Sequence, residues 1–324
     1  MNPVDVTPAG TPYANLSPDV VLAAVESAGI ATDGRLLALN SFENRVYQVG
    51  VENDKPLVAK FYRGGRWSDA AISEEHAFAL ELAAAELPVV APLPFAGATL
   101  LHFSQFRFAL YPRQGGRAPE LESADNLMWM GRLLARLHGV GSRAVFRARG
   151  ELDRQTLVQA PSRAVLDSAL LPSALHERYA RTIESLDALI AARFAEAGAI
   201  ANLRLHGDCH AGNVLWTDAG PHFVDLDDAR MGPAVQDLWM LAPTPRMLQI
   251  LLEGYAEFRD FNWREQVLVE PLRIMRQIHY AGWIAQRWDD PAFPRAFPFA
   301  AEARWWEQHL ADLLEAASSL DAVE

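Results

Sequence analysis

The segment from residue 203 to residue 228, LRLHGDCHAGNVLWTDAGPHFVDLDD, constrains the fold of this chain more than any other. Its pattern predicts a short buried strand, a loop with two glycines, and two further strands joined by the turn residues 218–221. Such a hairpin would present Asp208, Asn213 and Asp225. Two carboxylates and an amide suit a divalent cation, because Mg²⁺ prefers hard oxygen ligands and usually keeps waters and substrate phosphates. The alternative is an acidic hairpin whose aspartates only cap turns.

The order of these residues matches a scheme of phosphoryl transfer. In protein kinases an aspartate accepts the hydroxyl proton, a following asparagine holds one metal, and a later aspartate holds metal at the β- and γ-phosphates. This order makes Asp208 and Asp225 the candidate catalytic residues, with Asn213 and Asp225 as the candidate metal ligands. The local words are HGD and DLD, and not HRD and DFG. Asp227 and Asp228 are secondary candidates, since Asp227 would share the strand face of Asp225.

An early strand supplies a candidate phosphate-binding lysine. Residues 36–62 read as three strands, and Lys60 lies in the third, LVAKFY. Kinases place a lysine on their third strand to meet the ATP phosphates. The alternative, a solvent-facing lysine, is disfavoured by the acidic residues downstream. The prediction requires that folding bring Lys60 within phosphate-bridging reach of Asp225.

The segments after this strand supply the remaining candidates for a nucleotide site. A helix is predicted from Ala70 to Glu86, and Glu75 on it is the candidate partner that holds Lys60, with Glu74 as the neighbour that could take its place. The alternative for either residue is an exposed glutamate on the protein surface with no role in the site. The later strand FRFALYP would join two lobes, and its backbone near Leu110 and Tyr111 could pair with an adenine edge.

The words HGDCHAGNVLW and FVDLDDARMGPAVQDLWML resemble the bacterial stress response kinase A family, within the aminoglycoside-phosphotransferase-like kinases. HGD-x4-N with a later aspartate indicates only the superfamily, whereas the longer words are more specific. The resemblance implies an α+β, two-lobed, protein-kinase-like fold of the aminoglycoside phosphotransferase type. Residues 1–113 would form an N-lobe with a small antiparallel sheet that covers ATP, and residues 114–324 a larger helical C-lobe.

The resemblance also implies roles for two further residues. The glycine-free loop NSFENR resembles the family word NSYENRVYQ, in which a serine contacts ATP, so Ser41 is the candidate for this contact and Phe42 replaces the expected tyrosine. Judged from the residues alone, Ser41 and Asn44 could equally stabilise only a tight turn. In related kinases the aspartate that corresponds to Asp237 supports the catalytic loop through backbone hydrogen bonds.

The implied activity is transfer of the γ-phosphoryl group of ATP, with Mg²⁺, to Ser/Thr hydroxyls of proteins, including the kinase itself, in a stress response. Two alternatives stay open. One is a kinase of small hydroxyl compounds such as amino alcohols, sugars or aminoglycosides. The other, from a different class, is an inactive nucleotide-binding scaffold. Nothing in the sequence demands an oligomer, so a monomer is expected.

Composition and charge exclude several other functions. A net charge of -12 argues against binding to nucleic acid or to an anionic membrane surface. The single cysteine, Cys209, cannot form an internal disulfide and fits a reducing compartment. No signal peptide and no apolar run of about 18 residues is recognisable, which predicts a cytoplasmic protein. His206 and His210 flank Cys209, but their strand-and-loop setting argues against a zinc site.

Overall fold

The computed structural model describes residues 12–321. Its contacts divide the chain into two compact units. The first unit comprises the described residues up to Gly150 together with Leu203–Met231 and Asp237–Phe261, and the second comprises Glu151–Asn202, Gly232–Gln236 and the described residues from Asn262. All of the predicted site residues belong to the first unit. The predicted lobe boundary at residue 113 remains a prediction.

An antiparallel sheet of five strands occupies the first unit, in the order β1-β2-β3-β5-β4. The strands are β1 (Thr32–Ala38), β2 (Arg45–Val51), β3 (Leu57–Phe61), β4 (Leu101–Phe103) and β5 (Phe106–Pro112). Residues 89–94, whose apolar pattern VVAPLP is typical of a strand, do not form one. Among the described residues, this segment makes only an isolated bridge between Val89 and Phe223. Pro92 and Pro94 lack the backbone N–H groups that a strand ladder requires.

The strand register gives the sheet two different faces. Ala59, Phe61 and Leu110 point to one face, where they form a buried core with helix α1 (Pro18–Ser27). Lys60 lies opposite Val46 on β2 and opposite Ala109 on β5, so these side chains share the other face. The lysine is therefore directed away from α1.

Four more helices and several short strands carry the site. The helices are α2 (Asp69–Ala84), α3 (Ala124–Gly141) and, later in the chain, α6 (Val235–Leu241) and α7 (Pro245–Ala256). The strands are β6 (Leu203–Arg204), the hairpin of β7 (Val214–Thr217) and β8 (Gly220–Phe223), and β9 (Met231–Gly232). Helix α2 begins after Ser68, whose side chain accepts a hydrogen bond from the Ala71 N–H.

The second unit is helical. Its helices are α4 (Ala160–Asp167), α5 (His176–Ala197), α8 (Val269–Gln286), α9 (Ala292–Ala296) and α10 (Ala303–Asp321), and α4 packs on α8 while α5 packs on α10. The small antiparallel sheet and the helical remainder confirm the predicted α+β class. Within residues 12–321, no helix combines the length and the apolar character needed to cross a membrane.

Helices α3 and α7 approach each other through two glycines. A Cβ atom on Gly131 would lie 2.0 Å from the carbonyl oxygen of Leu251, and one on Gly254 would lie 2.1 Å from that of Met128. Both obstacles are backbone atoms, which cannot move aside without separating the helices.

We therefore expect Gly131→Ala to lower the free energy of unfolding by about 3 kcal/mol, as measured by urea denaturation. Gly139→Ala is the matched control in the same helix, because nothing lies within 4 Å of its added Cβ. Alanine favours helix over glycine, so this control should raise stability by about 0.5–1 kcal/mol. Equal effects at the two positions would contradict the close helix approach.

Candidate active site

The β7–β8 hairpin brings Asn213 and Asp225 together. Val214 pairs with Phe223 at its open end, and the Val224 N–H donates to the Asn213 carbonyl at 3.0 Å. Asp225 follows immediately in the left-handed region, with φ of 61°, a conformation that Asp tolerates better than most residues. It is exposed, and the chain then enters a 3₁₀ turn.

The loop between β6 and β7 adds Asp208 to this pair. Asn213 donates through Nδ2 to the Asp208 carbonyl at 2.9 Å and lies 3.4 Å from Asp208 Oδ2. Its Oδ1 is then the amide oxygen that can bind a cation. No group of three or more His, Cys, Asp and Glu side chains suited to a metal occurs among residues 12–321. Asn213 and Asp225 nevertheless fit Mg²⁺, which takes few protein ligands and completes its shell with phosphates and water.

A buried carboxylate holds this loop from behind. Asp237 on α6 accepts the N–H groups of His206 and Gly207, each at 2.9 Å, and its Oδ2 lies 3.1 Å from Nε2 of His138. The predicted support of the loop by Asp237 is thus confirmed. Gly207 is required here, because its φ is +84° and a Cβ would lie 2.1 Å from the Asp228 carbonyl oxygen.

Cys209 and His206 take structural positions. Burial raises the pKa of the Cys209 thiol well above its usual value, and Asp237 and Asp208 add to the effect. The reactive thiolate is therefore disfavoured. His206 Nε2 lies 3.0 Å from the Val224 carbonyl oxygen, so this histidine ties the loop to the end of the hairpin.

Lys60 reaches the acidic segment directly. Its Nζ lies 2.7 Å from Asp225 Oδ1 and 3.3 Å from Asp227 Oδ1. Burial alone would lower the pKa of Lys60, but the two carboxylates outweigh it and raise the pKa well above its usual value. The predicted proximity of Lys60 and Asp225 is confirmed, and the lysine is a buried cation beside the exposed Asp225.

Asp227, only a secondary candidate from its place in the sequence, contacts several residues of the candidate site. It was expected on the strand face of Asp225, but residues 226–228 form a 3₁₀ turn, which buries Asp227 while Asp225 stays exposed. Asp227 accepts a hydrogen bond from Asn44 Nδ2 at 3.1 Å and pairs with Arg66. Burial would raise the pKa of Asp227, yet Arg66 and Lys60 outweigh it and lower the pKa to about 2. Asp227 therefore links Lys60 to the NSFENR loop.

The two candidate glutamates on α2 have different environments. Glu74 accepts the N–H groups of Arg147 and Ala148, each at 2.8 Å, and so takes no part in the site. Glu75 is buried, and this burial raises its pKa to about 7 although Lys60 attracts its anion. Within residues 12–321, the ion pairs of Lys60 are with Asp225 and Asp227 and not with Glu75. The predicted contact between Lys60 and Glu75 is thus not formed in this structure.

The other residues predicted to contact the nucleotide are Ser41, Leu110 and Tyr111. Ser41 Oγ donates to the Asn44 carbonyl at 3.1 Å, which is the turn-stabilising role left open by the sequence. The Leu110 side chain lies in the core beneath α1, and its carbonyl accepts the Leu93 N–H at 2.8 Å. Tyr111 lies on the face of Lys60, and its hydroxyl is 2.9 Å from that of Tyr62.

Sequence reasoning missed an apolar surface beside Lys60. Val46 and Val58 share the face of the lysine by strand register and are only partly buried. Leu39, whose N–H donates to the Val46 carbonyl, continues this surface and is 36% exposed. Strand alternation outward from Lys60 is the signal that could have identified these residues. Together these three side chains form an apolar surface next to the Lys60 ammonium group, of the kind on which a flat aromatic ring packs.

Comparisons with known proteins identify the family of this chain. The family model described as "Phosphotransferase enzyme family" matches residues 35–267. Stress response kinase A of Escherichia coli (strain K12) is 43% identical over 313 residues, covering 95% of this chain and 94% of the relative. The relative from Salmonella typhimurium (strain LT2), named serine/threonine protein kinase RdoA, is 42% identical over 308 residues, covering 94% and 93%.

Solved structures show the same fold at low sequence identity. Amicoumacin kinase hAmiN, solved with AMP-PNP and Ca²⁺, has a TM-score of 0.73 at 15% identity and covers 92% of each chain. A microcompartment-associated aminopropanol kinase has a TM-score of 0.67 at 16% identity, with 93% of this chain and 95% of that chain covered. The fold is therefore kinase-like, of the aminoglycoside phosphotransferase type. With a family model over most of its length and relatives above 40% identity over nearly all of it, this chain belongs to the phosphotransferase enzyme family, among its stress response kinase A members.

Proposed function

We propose that this protein is an ATP- and Mg²⁺-dependent kinase that phosphorylates Ser/Thr hydroxyls of proteins, including its own, in a stress response. The observation that carries the phosphoryl-transfer part is the 2.7 Å contact between Lys60 and Asp225, beside the loop of Asp208 and Asn213. A metal-bound triphosphate requires a cation for its phosphates and hard oxygen ligands for its metal, and Lys60 and Asp225 place these two kinds of group side by side.

The nucleotide binds on the Lys60 face of the sheet. Its base lies on the apolar surface of Leu39, Val46 and Val58, near the backbone of Tyr111. Lys60 exchanges its contact with Asp225 for the α/β-phosphates, and the loop of Ser41 covers the triphosphate. Glu75 is buried near Lys60 and would be its ion-pair partner when Asp225 serves as a metal ligand. These assignments are supported by the register of the sheet and by the charge balance around Lys60.

Asn213 and Asp225 are the residues that would hold Mg²⁺, and the bound metal would supply positive charge to offset the charge of the phosphates. Asp208 orients the acceptor hydroxyl and takes its proton. Since the transition state is largely dissociative, the positioning of these groups contributes more than the strength of the base. The hydrogen bonds from Asn213 to Asp208 support this assignment, because they hold a base and a metal ligand in one rigid loop.

The acceptor class is inferred from relatives. Identity of 42% over 94% of the chain to a protein named a serine/threonine protein kinase favours protein hydroxyls. The solved kinases named for small molecules match at 15% and 16% identity, which supports only the fold.

Incubation with γ-labelled ATP and Mg²⁺ tests the proposal. The protein is supplied alone, with a generic protein substrate such as casein, and with a panel of amino alcohols, sugars and aminoglycosides. We expect label on Ser and Thr of protein, and none when EDTA removes the metal. Label on small compounds alone would replace the proposal with a small-molecule kinase, and no label in any reaction would favour the inactive scaffold.

A further inference from the structure

His210 lies between the proposed base and the turn that carries Asn213. Its Nδ1 accepts the Gly212 N–H at 2.9 Å, so the ring caps the 3₁₀ turn of residues 211–213. Its Nε2 lies 3.4 Å from Asp208 Oδ2. One imidazole thus faces a backbone donor with one nitrogen and the carboxylate of the base with the other.

These two contacts determine the tautomer of the neutral ring. A nitrogen that accepts a hydrogen bond cannot carry the proton, so the Gly212 N–H leaves the proton of His210 on Nε2. This N–H is the group that faces Asp208. Catalytic hydrogen bonds are often long before substrate binds and shorten in the reactive complex, so a separation of 3.4 Å suits a contact that tightens later.

The close approach of the ring depends on Gly212. A Cβ on this residue would lie 2.7 Å from Cε1 of His210 and 2.9 Å from its Nδ1. The imidazole therefore lies directly against the backbone of the turn, where it has little freedom to rotate. The position of the Nε2–H is set by the loop itself.

We propose that His210 is a positioning residue for phosphoryl transfer, which holds the carboxylate of Asp208 in its reactive rotation by donating from Nε2 to Oδ2. The inference rests on the proposed role of Asp208 as the base. Asp208 Oδ2 also lies 3.4 Å from the amide nitrogen of Asn213, so donors from two residues converge on one oxygen. The acceptor hydroxyl then meets a carboxylate with a defined orientation.

Two amide substitutions separate this role from simple capping. In His210→Asn the side-chain oxygen replaces Nδ1 and keeps the hydrogen bond from Gly212, but nothing replaces the donor at Nε2. In His210→Gln the amide nitrogen reaches the position of Nε2 and restores a donor to Asp208, while the cap is lost. Each variant thus keeps one role of His210 and removes the other. His210→Asn keeps the cap and loses the donor to Asp208, and His210→Gln does the reverse.

We expect His210→Asn to lower kcat about tenfold with an unchanged KM for ATP, since a hydrogen bond to a charged group is lost. His210→Gln should stay within about threefold of the wild-type kcat although its melting temperature falls. Wild-type kcat in His210→Asn, or an equal loss of kcat in both variants, would overturn the inference. Asp208→Asn in the same assay keeps the two proposals distinct: if it is fully active, the assignment of the base fails, and the role of His210 with it.

Discussion

Asp208→Asn is expected to lower kcat for phosphoryl transfer at least about 100-fold, because an amide of the same size cannot accept the proton of the acceptor hydroxyl. The KM for ATP should change little, since Lys60, Asn213 and Asp225 are untouched. Steady-state kinetics with labelled ATP and a protein acceptor measure both quantities, and binding of a fluorescent ATP analogue confirms that the nucleotide site is intact.

Asp218→Asn is the matched control for this substitution. Asp218 is exposed in the β7–β8 turn of the same hairpin, so the same chemical change occurs close by without touching the site. Its kcat should equal that of the wild type. If Asp208→Asn kept more than about a third of the wild-type kcat, a loss far below that of a missing general base, the base would have to be another group.

Asp237→Ala is expected to lower the free energy of unfolding by about 3–5 kcal/mol. The substitution leaves the N–H groups of His206 and Gly207 without their acceptor, and it also removes the partner of His138 Nε2. All of these groups are buried, so water does not replace the lost acceptor without opening the structure. Chemical denaturation monitored by tryptophan fluorescence measures the change.

The control for Asp237→Ala is Glu253→Ala on α7, where an exposed carboxylate is removed from a helix of the same unit. Its effect should lie within about 0.5 kcal/mol. Asp237→Ala should also reduce kcat at temperatures where the variant is folded, because its two backbone partners immediately precede Asp208. Wild-type stability in Asp237→Ala would show that the loop holds its shape without the buried carboxylate.

Several parts of the site were predictable because they depend on local order along the chain. The spacing of Asp208, Asn213 and Asp225 follows from a short hairpin, and hairpins are determined by neighbouring residues and turn chemistry. The placement of Lys60 on a third strand likewise follows from alternation and turns. The support given by Asp237 was predictable only through the family resemblance, since Asp237 lies 30 residues after Gly207, whose N–H it accepts.

Other features depended on contacts between distant segments. A strand pattern placed Asp227 beside Asp225, whereas the 3₁₀ turn buries it under Lys60 and Arg66. Helical spacing could not decide between Glu74 and Glu75, because the decision comes from the Arg147 and Ala148 N–H groups that bind Glu74. A local sequence pattern does not show which backbone N–H group from a distant segment will donate a hydrogen bond to a given carboxylate.

The sequence by itself determined the order of the candidate catalytic residues and the strand that carries the lysine, and it determined the α+β class through the family resemblance of its motifs. Tertiary structure alone decided the partners of Lys60, the partial exposure of the apolar surface beside it, and the burial of Asp227. The physical reason is that periodicity and turn chemistry act over a few residues, whereas charge pairing and burial depend on which segments meet after the chain has folded.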